Sequence, residues 1–286
     1  MKRLLSALVL TLLVAPSTAL AQLRATGPIV NGHHHLNATD PAEHKRFWVD
    51  TLGGTVGTFG SNNLEIIKFP NALIFMRDQD PTGGTIGSTV NHVAFSVPNL
   101  RQVVDRAKAA GFRMVTAEQA PAGVPVKDDI GIVEGGGPVS GIAYVLGPDE
   151  VKVEVLEMKA QTEPVVSHHI HFFGAQPEVM RAWYMKVFGA TERPGQLNGI
   201  IGADLPGLGL NFSPAPASVA GTQGRALDHI GFEVENLEAF TKQLEAQGIT
   251  LEVPYRSVPA LGLAIAFVSD PWGTYIELTE GLDNVK

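Results

Sequence analysis

Two distant stretches of this chain are written on one template. Val90-Asn91-His92-Val93-Ala94-Phe95-Ser96-Val97-Pro98-Asn99-Leu100 resembles Leu227-Asp228-His229-Ile230-Gly231-Phe232-Glu233-Val234-Glu235-Asn236-Leu237. From each histidine, Phe lies 3 residues on, Asn 7, Leu 8 and Gly 19, the last being Gly111 and Gly248. A second pair aligns as well: His33-His34-His35 with His169-Ile170-His171, Pro41 with Pro177, and Phe47-Trp48 with Trp183-Tyr184. Gly53 and Gly189 then each fall 20 residues after the first histidine. Such a repeat constrains the fold more than composition can, because each copy must be one supersecondary unit that buries its apolar face against its neighbours.

Local patterns say what the unit is. In His92–Val97, apolar Val93, Phe95 and Val97 alternate with His92, Ala94 and Ser96, the period of a half-buried strand. Asn99 suits a helix N-cap, and Leu100, Val103, Val104 and Ala107 form an apolar stripe stopped by Gly111. Asp40-Pro41 supplies a cap followed by a first-turn proline. Short β-rich runs follow the helices, as in Leu64–Ile67, Leu73–Met76, Leu263–Val268 and Thr274–Leu278. Each unit therefore reads as βαβββ. The expected fold is α+β, with four modules paired into two cupped, barrel-like sheets and the helices outside. Modules one and two are expected to form one domain over 29–158, and modules three and four another over 166–281, joined by the polar linker Lys159–Pro164. The glycine-rich stretch Ala117–Gly141 is longer than its counterpart and reads either as a mobile loop over the first site or as a disordered insertion.

The first 21 residues carry the layout of a secretory signal peptide: Lys2 and Arg3, an apolar run Leu4–Val14, and Ala19-Leu20-Ala21 as a cleavage site. The run is short for a membrane span, so the mature chain is expected to be periplasmic or secreted, without a membrane anchor. About 265 residues remain. There is no cysteine, which excludes disulfides, thiolate metal sites and cysteine nucleophiles. The formal net charge is −8 and becomes −10 without Lys2 and Arg3, and no basic stretch offers a nucleic-acid footprint.

Strand alternation puts His33, His35 and Asn37 on one face, and His169 with His171 on the equivalent face. His229 lies opposite the Ile230, Phe232 and Val234 stripe, so these histidines are expected to look into the concave side of the sheet. His34 is expected to face the helix, and His44 to be structural or solvated. The last strand of each half adds a carboxylate framed by apolar neighbours: Glu154 between Val153 and Val155, and Glu277 between Ile276 and Leu278. An acid in that setting needs a partner if it points inward. Two imidazoles and a carboxylate can hold a divalent ion and leave positions open.

The fourfold His-strand, helix and glycine plan, with the Asp270-Pro271-Trp272-Gly273…Glu277 strand, resembles the vicinal oxygen chelate superfamily of glyoxalase I, extradiol dioxygenases and bleomycin and fosfomycin resistance proteins. The resemblance implies paired modules cupped around a divalent metal (Fe, Mn, Zn, Ni or Co) that binds two oxygens of a small organic substrate. It implies the ligand sets His33, His92 and Glu154 in the first half and His169, His229 and Glu277 in the second. The spacings agree: 59 and 60 residues between the histidines, then 62 and 48 to the glutamate. His35 and His171 stand two residues beyond proposed ligands and read as acid/base groups or a further ligand. Tyr144 stands where ring-cleaving members have a tyrosine, with Phe267 at the same offset in the second half. Glyoxalase I-like members add a carboxylate from another strand, and Leu73-Ile74-Phe75 and Leu210-Asn211-Phe212 offer none. The expectation is a metal-dependent enzyme, with lyase or isomerase chemistry ahead of an extradiol-type dioxygenase and of a non-catalytic small-molecule binder, acting as a monomer or homodimer.

Overall fold

The glycines that close the helix of each module turn the chain where the pattern places them. Gly53, Gly111, Gly189 and Gly248 have φ values of 94°, 83°, 70° and 79°, the left-handed conformation in which a side chain is strained. The structure, a computed structural model, describes residues 26–135, 137–197, 199–215 and 217–285; the signal peptide reading of residues 1–21 lies outside them.

Module one runs β1 (Ile29–Ala38), α1 (Pro41–Lys45), β2 (Thr55–Phe59), β3 (Leu64–Phe69) and β4 (Ala72–Asp78). Module two runs β5 (Val90–Val97), α2 (Leu100–Ala109), β6 (Arg113–Met114), α3 (Thr116–Gln119), β7 (Val126–Lys127), β8 (Ile130–Ile132), β9 (Gly141–Leu146) and β10 (Lys152–Glu157). Module three has β11 (Val166–Gly174), α4 (Pro177–Phe188), β12 (Thr191–Leu197), β13 (Ile200–Leu205) and β14 (Leu208–Pro214). Module four has β15 (Leu227–Val234), α5 (Leu237–Ala246), β16 (Val253–Val258), β17 (Leu263–Ser269) and β18 (Tyr275–Glu280).

The caps are those the residue types allow. Asp40 Oδ1 accepts the N–H groups of Ala42 and Glu43, Asn99 that of Gln102, and Asn236 that of Ala239. Module one departs from the expected helix: after Lys45 its last turns, Arg46–Thr51, are π-helical. None of the helices among the described residues is long and apolar enough to cross a membrane.

The strands form two sheets. One has the order β16-β17-β18-β15-β1-β4-β3-β2; the other runs β12-β13-β14-β11-β5-β10-β9-β8-β7, with β6 beside β9. Module one therefore joins module four, and module two joins module three. This corrects the expected pairing within 29–158 and within 166–281. The repeat shows only that modules one and three are alike and that two and four are alike; either pairing puts one of each kind in a cup. The linker Lys159–Pro164 is no boundary between sheets. It leads from β10 to β11, which both border β5, a crossing of roughly 10 Å that so short a segment spans. The centre of each cup is an antiparallel pair of opening strands, with His35 opposite His229 in β1/β15 and His171 opposite His92 in β11/β5.

Modules adjacent in sequence meet on the helix-covered faces instead. Phe95 of module two lies 5.9 Å from Trp48 and 4.6 Å from Phe69 of module one, between ring centroids, and Phe188 of module three lies 5.0 Å from Phe232 of module four. Trp48, Phe69, Phe95 and Phe232 are completely or almost completely buried, and truncating any of them would cost about 3–5 kcal/mol. His34 lies on this side, as alternation required. It is buried with no hydrogen-bond partner on either ring nitrogen, and burial pushes its pKa down to about 3. His44 is also buried; its Nε2 is 3.0 Å from Asp149 Oδ2.

Candidate metal centres

Each cup brings three histidines and one glutamate to its floor. In the cup of modules one and four these are His33, His35, His229 and Glu277; in the cup of modules two and three they are His92, His169, His171 and Glu154. Within each set the ligand atoms lie within 4.8 Å of one another. The expected triads are thus redistributed. His33 stands with His229 and Glu277 rather than with His92 and Glu154, and His169 stands with His92 and Glu154 rather than with His229 and Glu277. The physical reason is the module exchange: each glutamate stays with the histidine of its own module, while the histidine of the odd-numbered module comes from the other half of the chain.

The geometry is alike in both. His33 Nε2 and His229 Nε2 lie 2.9 and 3.0 Å from the same oxygen, Glu277 Oε2. His92 Nε2 is 3.0 Å from Glu154 Oε2, and His169 Nε2 is 3.1 Å from it. That His169 nitrogen sits at ion-pair distance without hydrogen-bond geometry, which leaves a buried donor atom unsatisfied. Burial alone would raise the glutamate pKa values. The hydrogen bonds of His229 and His33 outweigh it at Glu277, as the close approach of His169 and His92 does at Glu154, and both carboxyls stay well below the ordinary range.

Three of these imidazoles, His35, His92 and His171, are held neutral. Burial pushes His92 down to about 4. Burial, then the neighbouring imidazoles, puts His35 and His171 well below the usual histidine value. His229 is the exception, raised because hydrogen bonds to Asp228 and Glu277 overcome its burial. Neutral imidazoles and ionised carboxylates are what a divalent cation requires. Three nitrogens and one carboxylate oxygen, converging with an orphaned imidazole nitrogen, fit such an ion and leave coordination positions for a ligand.

The surroundings differ. Behind His229, Asp228 Oδ1 lies 2.6 Å from Nδ1, and Asp228 Oδ2 accepts from Gly224 N and Asn37 Nδ2. Behind His92 stands Asn91, whose Oδ1 is 2.9 Å from His92 Nδ1 and also accepts from Lys152 Nζ at 2.8 Å. Tyr144 donates its hydroxyl to Glu154 Oε1 at 2.9 Å, and burial raises its pKa far above the ordinary phenol value. His171 Nε2 is 2.8 Å from Ser213 Oγ, and His168 Nδ1 is 2.9 Å from His169 Nδ1.

The cup of modules two and three opens into a cavity of about 700 Å³, with Tyr144, Glu154, His168, His169 and His171 on its floor. The stretch Ala117–Gly141 supplies part of the wall, through Pro121–Pro125, Ile132–Glu134 and Val139. It folds into α3 and the β7–β8 hairpin rather than hanging as an insertion. In the other cup, Val30, Phe59, Ile66, Leu73, Phe75, Leu263, Ile265 and Leu282 form a buried cluster of their own. The hairpin tips of modules one and four touch there, with Ser61 N and Oγ each 2.9 Å from Ala260 O.

Sequence reading missed Asp228, Asn91 and Lys152. The signals were there: a polar residue immediately before His92 and His229, and a lysine two residues before Glu154 on the same strand face.

Comparison with known proteins agrees with this architecture. The sequence profile of the Glyoxalase/Bleomycin resistance protein/Dioxygenase superfamily matches residues 166–278. That match spans modules three and four, and the same module plan is repeated through the first half of the chain. Glyoxalase I from Zea mays is similar in fold, with a TM-score of 0.67 at 15% identity over 89% of this chain and 93% of that one. A protein from Bacillus subtilis described as a possible dioxygenase has a TM-score of 0.63 at 12% identity, covering 88% and 85%. No curated protein sequence matches the chain.

Proposed function

We propose that this chain is an exported, divalent-metal-dependent enzyme that acts on a small oxygenated molecule in the cup of modules two and three. The observation that carries the reading is the cavity of about 700 Å³ whose floor holds Glu154, His169 and His171. A divalent ion there would supply Lewis-acid polarisation of a substrate oxygen. His92, His169, His171 and Glu154 would hold it, and His35, with His33, His229 and Glu277, would play the equivalent part in the other cup.

The chain's own residues supply the rest. Ile132, Val133, Val139, Ile142 and Leu156 give the cavity apolar walls, which exclude water and take the hydrocarbon part of a substrate. Tyr144 holds its proton on the hydroxyl donated to Glu154 and fixes that carboxylate. His168, on the floor and pushed down to about 4 by burial, is a neutral imidazole at pH 7, able to hydrogen-bond a bound substrate. This supports lyase or isomerase chemistry of the glyoxalase type. Tyr144 beside a His/Glu cluster favours ring-cleaving dioxygenase chemistry as a second reading, and oxygen uptake with a catechol would distinguish it. Export rests on residues 1–21; a secreted chain beginning at Gln22, read by mass spectrometry, tests it.

The functional test is metal content followed by turnover. The mature chain, purified without chelators and reconstituted with Fe, Mn, Zn, Ni or Co, is expected to take up metal and to convert a 2-oxoaldehyde–thiol adduct, a hydroxy acid or a catechol. Uptake of none of the five metals sinks the enzyme reading and leaves a small-molecule binding protein.

A further inference from the structure

The two centres share a ligand set but not a charge environment. In the cup of modules one and four, the ion would face the carboxylates of Glu277 and, one atom behind His229, of Asp228, at 2.6 Å from Nδ1. In the other cup Asn91 replaces that carboxylate. Lys152, only 3% exposed, stands at the position of Tyr275 and hydrogen-bonds to Asn91 Oδ1 and Gln119 Oε1, 4.7 Å above the Tyr144 ring. Among the buried charges, a dication in the first cup meets two carboxylates, with the exposed Arg77 acting on His35 from farther out, whereas in the second it meets one carboxylate and one buried ammonium. A carboxylate behind a ligating histidine raises its basicity and tightens the metal; a buried cation nearby does the reverse. Access is not what separates them: His35 and Glu277 in the first cup are part-exposed, and all four groups of the second are buried beneath its cavity.

We propose that the two cups are unequal metal sites: the cup of modules one and four holds its ion tightly, as a clasp between the first and last modules, and the cup of modules two and three holds an exchangeable ion. The inference rests on the metal-centre reading given above. It also assigns roles: Asp228 and Lys152 are positioning residues that set affinity without touching the ion. The clasp would tie β1 to β15 and β18, joining module one to module four.

The test loads the full mature chain with zinc, titrates it with a competing chelator, and follows bound zinc together with the thermal midpoint. The expected result is two equivalents released in two steps, the first with little change in midpoint and the second with a clear fall. Asp228→Asn should move the second step to weaker chelation by roughly 10- to 100-fold. Lys152→Met should move the first step to stronger chelation by about tenfold or more. Release of both equivalents in one step, or a Lys152→Met protein whose first step does not move, overturns the inference. Should Asp228→Asn lose its circular dichroism spectrum, the wild-type and Lys152→Met titrations still decide. A chain that binds no zinc at all contradicts the metal-centre reading itself, an outcome distinct from two equal sites.

Discussion

His171 and His92 face each other across the antiparallel pair of β11 and β5, with ring centroids 4.7 Å apart. His35 and His229 repeat the relationship in β1 and β15 at 4.5 Å. One register thus delivers the second histidine of each His-x-His to the floor of its cup, where it stands as a fourth group. Other strands do not supply it: the residues opposite His35 and His171 on β4 and β14 are Phe75 and Asn211.

A single methyl group should separate the two centres. Gly231 lies opposite His33, and a Cβ built there would overlap the His33 ring. The equivalent position in the other cup, opposite His169, is already Ala94. Gly231→Ala is expected to displace His33 and weaken metal binding in the cup of modules one and four by roughly 10-fold or more, with the other equivalent kept. Elemental analysis after dialysis checks it; unchanged retention of both equivalents contradicts it.

His34 is a buried polar side chain that no partner satisfies, and its counterpart in module three is Ile170. His34→Ile should stabilise the fold by about 1–3 kcal/mol, the cost of leaving such a group unpaired. A rise in the urea midpoint with an unchanged slope is the expected reading. A lower midpoint would show that the ring packs better than the aliphatic side chain.

His44 gives the stability a pH dependence. Its folded pKa lies below the ordinary histidine value of 6.5 because burial outweighs its bond to Asp149. Below 6.5 the unfolded chain takes up the proton more readily, so stability is full above that value and falls as the pH drops toward the folded pKa. His44→Gln removes this contribution, at most about 1.4 kcal/mol per pH unit. The difference in unfolding free energy between wild type and variant should therefore shrink from pH 7 to pH 5. Parallel curves would contradict the assignment.

The modules were legible in the sequence because periodicity and capping are local. Gly53 and Gly189 needed only their distance from a histidine, and Asn99 and Asn236 only their place before an apolar stripe. Glu154 and Glu277 were legible as carboxylates framed by apolar strand neighbours. The partnership of His33 with Glu277 was not, because a strand's choice of partner is settled by packing over hundreds of residues. Phe95 against Trp48 and Phe188 against Phe232 put adjacent modules on the helix side and free the opening strands to pair across the chain. The role of Ala117–Gly141 as a cavity wall depended on the β8–β9 pairing, in which Gly131 meets Ile142, a contact no local pattern announces.

The central claim is that each metal centre is assembled from both halves of the chain, and two double variants test it most directly. His33→Ala/Glu277→Ala removes two groups of one cup, whereas His33→Ala/Glu154→Ala removes one group from each. With the metal content of the purified, reconstituted proteins measured against a wild type holding two equivalents, the first variant should keep one equivalent and the second should lose most of both. The reverse pattern, one equivalent kept by His33→Ala/Glu154→Ala and both lost by His33→Ala/Glu277→Ala, would contradict the account.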